Sequence, residues 1–184
     1  ELKKYNKNYV KEDCLSDEQL FYLHTRSEYS QIPLHESAKE AVKFYTAQAE
    51  KYWHDCTLYG KAMMAVTFNR NGNKKLAVDI LNSLKENALK TDEMGMYWAK
   101  NASGYFWNER PVAVQAAIIN AFTELEPGSA AIDELKIWLL KQKQTQSWDN
   151  PLASVNAIYA LLNNGCNWLS NESTTIVKVD GKEL

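Results

Sequence analysis

The sequence predicts an all-α fold, a partial α/α-toroid of about seven helices in alternating inner and outer hairpins, followed by a short C-terminal β-strand. The first observation behind this prediction is an internal repeat. Residues 107–122 and 148–162 each begin at a tryptophan, pass a proline and continue as an uncharged apolar run, and a third, degenerate copy begins at Trp53. Such repeats are typical of stacked helical units that bury their faces against their neighbours.

The second observation is that two kinds of helix alternate along the chain. In one kind the apolar residues form a single stripe, with charges on the opposite side; these segments are 35–53, 74–89 and 129–143. The other kind is apolar nearly all round, apart from Lys61; these segments are 58–68, 112–122 and 152–162, and we assign 17–28 to the same class for its apolar run at 20–23. Because a helix without a polar face must be covered on all sides, we expect the uncharged helices to form an inner ring surrounded by the striped ones.

Turn residues mark the ends of these helices. Pro111 and Pro151 stand near predicted helix starts, where the missing N–H of proline costs nothing. Gly72, Gly128 and Gly165 follow the apolar runs, as helix C-caps or turn residues do. Helices bounded in this way make up about half of a ring of six hairpins, each hairpin burying its apolar face against the next.

A long aromatic segment, 91–110, interrupts the helical pattern. Long loops in compact domains are often functional, and these aromatic rings could then form a sugar- or peptide-binding surface. Alternatively, the segment lies across the helices and its aromatic rings are buried in packing. Large aromatic side chains more often pack than bind. The candidate interaction surface consists of Tyr97, Trp98, Tyr105 and Trp107.

After Trp168 the helical pattern ends. Residues 176–179 are a strand candidate, and Asp180-Gly181 is typical of a hairpin turn. We expect this strand to pair with a β domain beyond the chain or with a short edge element. The predicted domains are therefore a helical segment over 1–169 and a linker with a strand over 170–184.

Composition excludes two classes of function. The formal net charge is −2 and no basic stripe is present, which argues against nucleic-acid binding. No apolar run approaches the roughly 20 residues of a membrane span, so we expect no direct membrane insertion. The charged start without an initiator methionine shows no secretory signal and looks like that of an excised fragment.

Metal and disulfide chemistry have no support in the residue spacing. The three cysteines, Cys14, Cys56 and Cys166, are far apart and form no CxxC pair. We interpret them as small buried hydrophobic residues rather than nucleophiles. The three histidines, His24, His35 and His54, have no metal-ligand spacing. We therefore predict no cofactor, no metal and no catalytic residue.

One alternative is a carbohydrate-active (α/α)-barrel enzyme. Glu109 and Asp149 occupy similar places after the two repeat tryptophans, and equivalent positions on successive hairpins could bring two carboxyl groups to the spacing that glycosidases use. Against this, acidic residues are common near helix starts because they favour the positive end of the helix dipole. The Asp-rich motif that terpene cyclases need is absent from the sequence.

Several longer blocks carry a family resemblance. They are IWLLKQKQTQSW at 137–148 with the following PLASVNAIYALL, LNSLKENALKTDEMGMYW at 81–98, YFWNERPVAVQAAIINAF at 105–122 and KFYTAQAEKYW at 43–53. Through them the chain resembles a segment of the bacterial alpha-2-macroglobulin family. In that family the region corresponds to the later part of the thioester-type domain, an α/α-toroid that leads into a β-sandwich of a much longer polypeptide. The family's Gly-Cys-Gly-Glu-Gln thioester motif is absent from these residues.

The resemblance implies a non-catalytic structural or interaction domain. Its partners would be other domains of the same polypeptide and, through a parent that traps proteases, those proteases. It also implies a periplasmic or outer-membrane-associated parent. The alternatives that remain open are the carbohydrate-active enzyme and a helical-repeat scaffold that binds a protein through 91–110.

Overall fold

The computed structural model describes residues 8, 11–101, 103–106, 108, 110–145, 147–148 and 150–163, and the backbone of residues 178–179 and 182–183. Within them lie seven α-helices: α1 (Asp17–Glu28), α2 (Glu36–Tyr52), α3 (Leu58–Arg70), α4 (Lys74–Glu86), α5 (Pro111–Leu125), α6 (Ala130–Thr145) and α7 (Pro151–Leu162). The strands are β1 (Leu89–Thr91), β2 (Gly95–Tyr97), β3 (Lys178–Val179) and β4 (Lys182–Glu183). The prediction of an all-α fold is confirmed for the described residues.

The helix boundaries follow the turn residues in the sequence. Pro111 and Pro151 are the first residues of α5 and α7, as predicted. Gly72 and Gly128 follow α3 and α5 with φ angles of 86° and 85°. Gly72 directly follows the C-cap residue of α3, and its left-handed backbone ends α3 at little steric cost. Gly128 lies two residues beyond the C-cap residue of α5, in the turn before α6. Gly165 lies outside the described residues.

The uncharged helices pack side by side. Helix α1 contacts α3, α3 contacts α5, and α5 contacts α7, while α2, α4 and α6 pack against α1, α3 and α5 respectively. Every residue of 62–68 in α3 and of 112–116 in α5 is buried. The prediction that these two helices are covered nearly all round is therefore confirmed, and their side chains form the centre of the core.

Helix α7 departs from the prediction, because 152–162 is not covered on all sides. Its buried residues are the three alanines Ala153, Ala157 and Ala160, on the side that packs against α5. The large apolar side chains face outward, with exposed fractions near one half or above; they are Leu152, Val155, Ile158, Tyr159 and Leu162. The absence of charged residues predicted a helix that is buried on all sides. Burial also requires neighbouring helices, and among the described residues α5 packs against only one side of α7.

Helix α1 also differs from its predicted class. Only Leu20, Leu23 and Ser27 are buried, whereas Tyr22 is 45% exposed. None of the charged residues in its first and last turns is buried. A run of four apolar residues spans more than one turn of helix, so it cannot by itself identify a buried face. Helix α1 is a one-sided helix at the start of the packed series.

A β-hairpin takes the place of the first part of the predicted loop 91–110, and α4 ends before it. Strands β1 and β2 pair antiparallel, with Leu89 opposite Tyr97. The side chain of Gln115 in α5 donates from Nε2 to the carbonyl of Met96 over 2.9 Å, which joins the hairpin to the core. Strands of three residues are too short for an alternating pattern to identify them, and the prediction missed them for that reason.

The C-terminal strand candidate pairs with the chain itself. Strand β3 pairs antiparallel with β4, Lys178 opposite Glu183 and Val179 opposite Lys182. This is the short edge element that the sequence offered as one of two partners. The predicted turn at Asp180-Gly181 falls between the two strands in the sequence but lies outside the described residues. So do residues 176–177 and the predicted domain boundary at 169, and the boundary stays a prediction.

Candidate functional site

A groove of about 390 Å³ is lined, among the described residues, by residues of α1, α3, α5 and α7 and by none of α2, α4 or α6. Along α3 its lining extends from Tyr59 to Arg70, and along α5 from Ala113 to Glu124. Each stretch contains twelve residues, and the eleven steps between the first and the last cover about 16 Å of helix. Arg70, in the last turn of α3, contacts Glu28 and Glu124, in the last turns of α1 and α5. The C-terminal ends of these helices therefore meet at one end of the groove, which we call the inner groove.

A three-membered ion network closes the C-terminal end of the inner groove. Arg70 donates from Nε to both carboxylate oxygens of Glu124, over 2.9 and 3.0 Å, and from Nη2 to Oε2 over 2.6 Å. Its Nη1 pairs with Glu28. Burial acts to lower the pKa of Arg70, but the hydrogen bonds to Glu124 and Glu28 outweigh it and raise that pKa. The network links α1, α3 and α5.

His24 lies beside this network as a neutral side chain. Burial first, and the positive charge of Arg70 second, lower the pKa of His24 below its ordinary value. Its Nδ1 is 3.3 Å from the hydroxyl oxygen of Thr67, and its Nε2 is 4.0 Å from Glu28. With His24 uncharged at pH 7, two carboxylates and one guanidinium leave the inner groove with a net charge of −1.

Two oxygen atoms in the inner groove have no hydrogen-bond partner among the described residues. They are Oδ1 of Asn120 and Oγ1 of Thr123, both shielded from solvent within the lining of the groove. Thr123 is only 5% exposed. With Glu124 these residues stand at helical positions i, i+3 and i+4, so they share one face of α5. Buried polar atoms are normally hydrogen-bonded, and an unpaired one needs an explanation.

The other end of the inner groove is apolar. Small or flexible side chains form its walls: Ala62, Met63 and Val66 on α3, and Ala113 and Ala117 on α5. Burial raises the pKa of Tyr59, at this end, to about 12. The groove therefore changes along its length from an uncharged, apolar channel to a charged and oxygen-rich pocket.

Sequence reasoning missed the inner groove. The available signal was a recurring position, because Glu28, Arg70 and Glu124 stand at or next to the last residue of α1, α3 and α5. Arg70 is 42 residues from Glu28 and 54 from Glu124, and no local pattern pairs residues at such separations. Only the packing of α1, α3 and α5 brings the three together.

The predicted interaction surface is not one surface. Trp98 is 3% exposed, and its Nε1 donates to the carbonyl of Leu84 over 3.0 Å, so it belongs to the core. Tyr97 is half-buried in β2. Tyr105 is 87% exposed. Trp107 lies outside the described residues. The packing alternative is therefore correct for Trp98, whose polar N–H finds a backbone acceptor, as buried tryptophans usually do.

The carboxylate pair of the enzyme alternative cannot be placed. Glu109 and Asp149 both lie outside the described residues, so their proposed role stays a prediction without geometry. Among the residues that the structure describes, no three histidine, cysteine or acidic side chains are grouped so as to hold a metal ion.

The cysteines are half-buried rather than fully buried. Cys14 and Cys56 are of intermediate exposure, and Cys166 lies outside the described residues. Burial is the largest cause that raises the pKa of Cys56, to about 11. A thiol with so high a pKa is protonated at neutral pH and is a poor nucleophile.

Comparisons of the chain with protein-family models, with curated proteins and with solved structures gave no match. The macroglobulin resemblance therefore stays an expectation. Among the described residues, no helix combines the length and the apolarity needed to cross a membrane. The case for function depends on the geometry of the chain itself.

Proposed function

We propose that the chain is a non-catalytic structural domain of a macroglobulin-like protein. In this proposal its helices are part of an α/α-toroid, and the remaining surface of the toroid is completed by further segments of the same long polypeptide. The parent protein would trap proteases after they cleave it, in the periplasm or at the outer membrane. The domain itself would hold neighbouring segments in place.

The uncovered face of α7 carries this proposal. In the internal repeat, Ile158 of α7 matches Ile118 of α5, and Leu162 matches Phe122. The α5 residues are both 0% exposed, whereas Ile158 is 48% and Leu162 55% exposed. The same repeat position is thus covered in one unit and open in the next. Large contiguous apolar patches on a soluble protein commonly mark an interaction site.

The occupant that best fits this face is a further helical hairpin of the same polypeptide. Helix α5 is covered by the hairpin that follows it, formed by α6 and α7. If the repeat continues, the next hairpin would cover α7 in the same way, as neighbouring units do in helical arrays. The face of α7 contains no charged residue, so it offers nothing for an ionic partner to pair with.

Hydrogen exchange tests the structural part of this proposal. We expect the amides of 151–162 to exchange more slowly in the native, longer polypeptide than in the 184-residue chain. Ile158→Glu should remove that additional protection. Val78→Glu, at an apolar residue of α4 that is 44% exposed, is the matched control and should leave it unchanged. Equal exchange of α7 in both polypeptides would exclude a covering hairpin.

Protease challenge tests the part that concerns the parent protein. The native polypeptide would be incubated with proteases of broad specificity and assayed on large and small substrates. Trapping predicts cleavage at a limited region, followed by loss of activity on large substrates while small ones are still hydrolysed. Full activity on large substrates would contradict a protease-trapping role and would leave the structural proposal standing.

A further inference from the structure

The inner groove and the exposed face of α7 are one continuous surface. Tyr159 and Asn163 line the inner groove together with residues of α1, α3 and α5. The same two residues line a second depression, of about 440 Å³, together with Val155, Ile158 and Leu162. Tyr159 is 57% exposed and lies where the two meet. A segment that covers the α7 face therefore also reaches the inner groove.

The internal repeat indicates which residues of α7 would meet an outer helix. In α5, Nε2 of Gln115 donates to backbone carbonyls of β2 and of α6, over 2.9 and 3.1 Å. Ile118 and Phe122 follow Gln115 at positions i+3 and i+7, so they lie on the same side of α5. When the prolines of the repeat are aligned, the equivalent residues of α7 are Val155, Ile158 and Leu162.

A different side of α7 would meet an inner helix. Four residues of α7 form one stripe, because they follow one another at spacings of four, three and four residues; they are Leu152, Asn156, Tyr159 and Asn163. The equivalent residues of α5 are all buried; they are Val112, Ala116, Ile119 and Thr123. The last three residues of the α7 stripe line the inner groove. A helix that covers this stripe would therefore stand beside the groove.

We propose that one helical hairpin of the longer polypeptide covers α7 and also closes the inner groove. Its outer helix would pack on the side of Ile158, and its inner helix would pack on the stripe that contains Tyr159 and extend across the groove. This inference rests on the proposed structural function, because it assigns a second contact to the same covering hairpin. Helix α7 has this relation to α5, since it packs on α5 and lines part of the inner groove.

The inner groove favours an uncharged occupant. Its apolar end is lined by small side chains, including Ala113 and Ala117. At its other end the guanidinium of Arg70 already pairs with Glu28 and Glu124. A further charge buried there would lose its hydration without gaining a free counter-ion. An apolar helix of the same kind as α5 and α7 would not have this cost.

Thiol labelling compares the inner groove with the α7 face. Ala117→Cys places a thiol in the lining of the groove, and Ile158→Cys places one on the α7 face. Each variant would be made in the 184-residue chain and in the longer polypeptide, treated with N-ethylmaleimide and followed by peptide mass spectrometry. We expect both thiols to react more slowly in the longer polypeptide by about tenfold or more, a factor that corresponds to an opening free energy of about 1.4 kcal/mol.

Two further variants control this comparison. Val78 is 44% exposed on α4 and lines neither surface, so Val78→Cys should react equally in both polypeptides. Asn156→Cys places a thiol in the part of the groove lining that α7 supplies. It gives the same test of the groove if Ala117→Cys does not fold.

The labelling pattern separates this inference from the proposed function. Slower labelling of Ile158→Cys with unchanged labelling of both groove thiols would show that the hairpin leaves the groove open. The present inference would then be wrong, and the structural function would stand. Unchanged labelling at every site would contradict both. If the thiols react more slowly in the 184-residue chain as its concentration rises, a second copy of the chain occupies this surface and the assignment to a hairpin is wrong.

Discussion

The backbone of Gly95 lies directly against the carbonyl group of Glu134. A β-carbon at Gly95 would stand 2.1 Å from the Glu134 oxygen, and the residue has a φ of 68°. Glycine is thus required both by the left-handed backbone and by the close approach of β2 to α6. This contact attaches the hairpin to the helical core.

Gly95→Ala should therefore destabilise the protein severely. The left-handed conformation costs a residue with a β-carbon about 1–2 kcal/mol, and the collision with Glu134 adds to that. Gly72→Ala is the matched control, because Gly72 has a φ of +86° and a β-carbon there would meet no other atom within 4 Å. Urea unfolding should give a clearly larger loss for Gly95→Ala, and equal losses would show that β2 does not pack closely on α6.

Arg70→Met should destabilise the fold by about 1–3 kcal/mol, because it leaves the carboxylates of Glu28 and Glu124 without their counter-charge in a partly buried site. Lys39→Met removes one member of the exposed pair with Glu36 and should cost less than about 0.5 kcal/mol. Urea unfolding at low salt measures both. A loss for Arg70→Met no larger than that for Lys39→Met would mean that the network contributes little to stability.

His24 predicts a pH dependence of stability. Its pKa is lowered in the folded protein, so the unfolded chain binds the proton more readily. The contribution of His24 to the free energy of unfolding is fully present at pH values above its pKa in the unfolded chain, about 6.5. This contribution decreases as the pH falls through that value towards the lower pKa of His24 in the folded protein. His24→Gln should flatten the curve of unfolding free energy between about pH 7 and pH 5.5. Urea unfolding of the wild type and of His24→Gln at several pH values measures the two slopes, and equal slopes would contradict the prediction.

Substitutions on the two sides of α7 test its orientation. Ala157 is 0% exposed against α5, so Ala157→Ile should overpack the interface and cost about 1–3 kcal/mol. Ile158 is 48% exposed, and Ile158→Gln should change the stability of the 184-residue chain by about 0.5 kcal/mol or less. Thermal unfolding of both variants gives the comparison. The reverse order of effects would show that the other side of α7 faces the core.

Substitution should destabilise the protein at Trp98 and have almost no effect at Tyr105. Trp98→Phe removes the donor to the Leu84 carbonyl and leaves a small cavity, so we expect a loss of about 1–3 kcal/mol. Tyr105 is 87% exposed, and Tyr105→Ser should be nearly neutral for stability. Denaturant unfolding measures both values. A neutral Trp98→Phe variant would indicate that the hydrogen bond to Leu84 is not formed in solution.

The helix ends were predictable because their causes are local. Proline at the first position of a helix and glycine just after its last turn act through the backbone of a few residues, and Pro111, Pro151, Gly72 and Gly128 occupy such places in the structure. The β-hairpin at 89–97 was not predictable in this way. Its two strands are short, and β2 is held by packing on α6 and by a bond from Gln115.

By itself the sequence determined the all-α class and the approximate positions of the helices, and it located the starts of α5 and α7 at Pro111 and Pro151. It also identified α3, α5 and α7 as helices without a charged face, but it wrongly placed α1 among them. Only the tertiary structure decided which of those helices are buried on all sides. Ile118 and Ile158 occupy the same position in the repeat, but Ile118 is 0% exposed and Ile158 is 48% exposed. It likewise brought Glu28, Arg70 and Glu124 together at the inner groove. The physical reason is that turns and helical propensity act between near neighbours in the chain, whereas burial and ion pairing depend on which distant segments pack against each other.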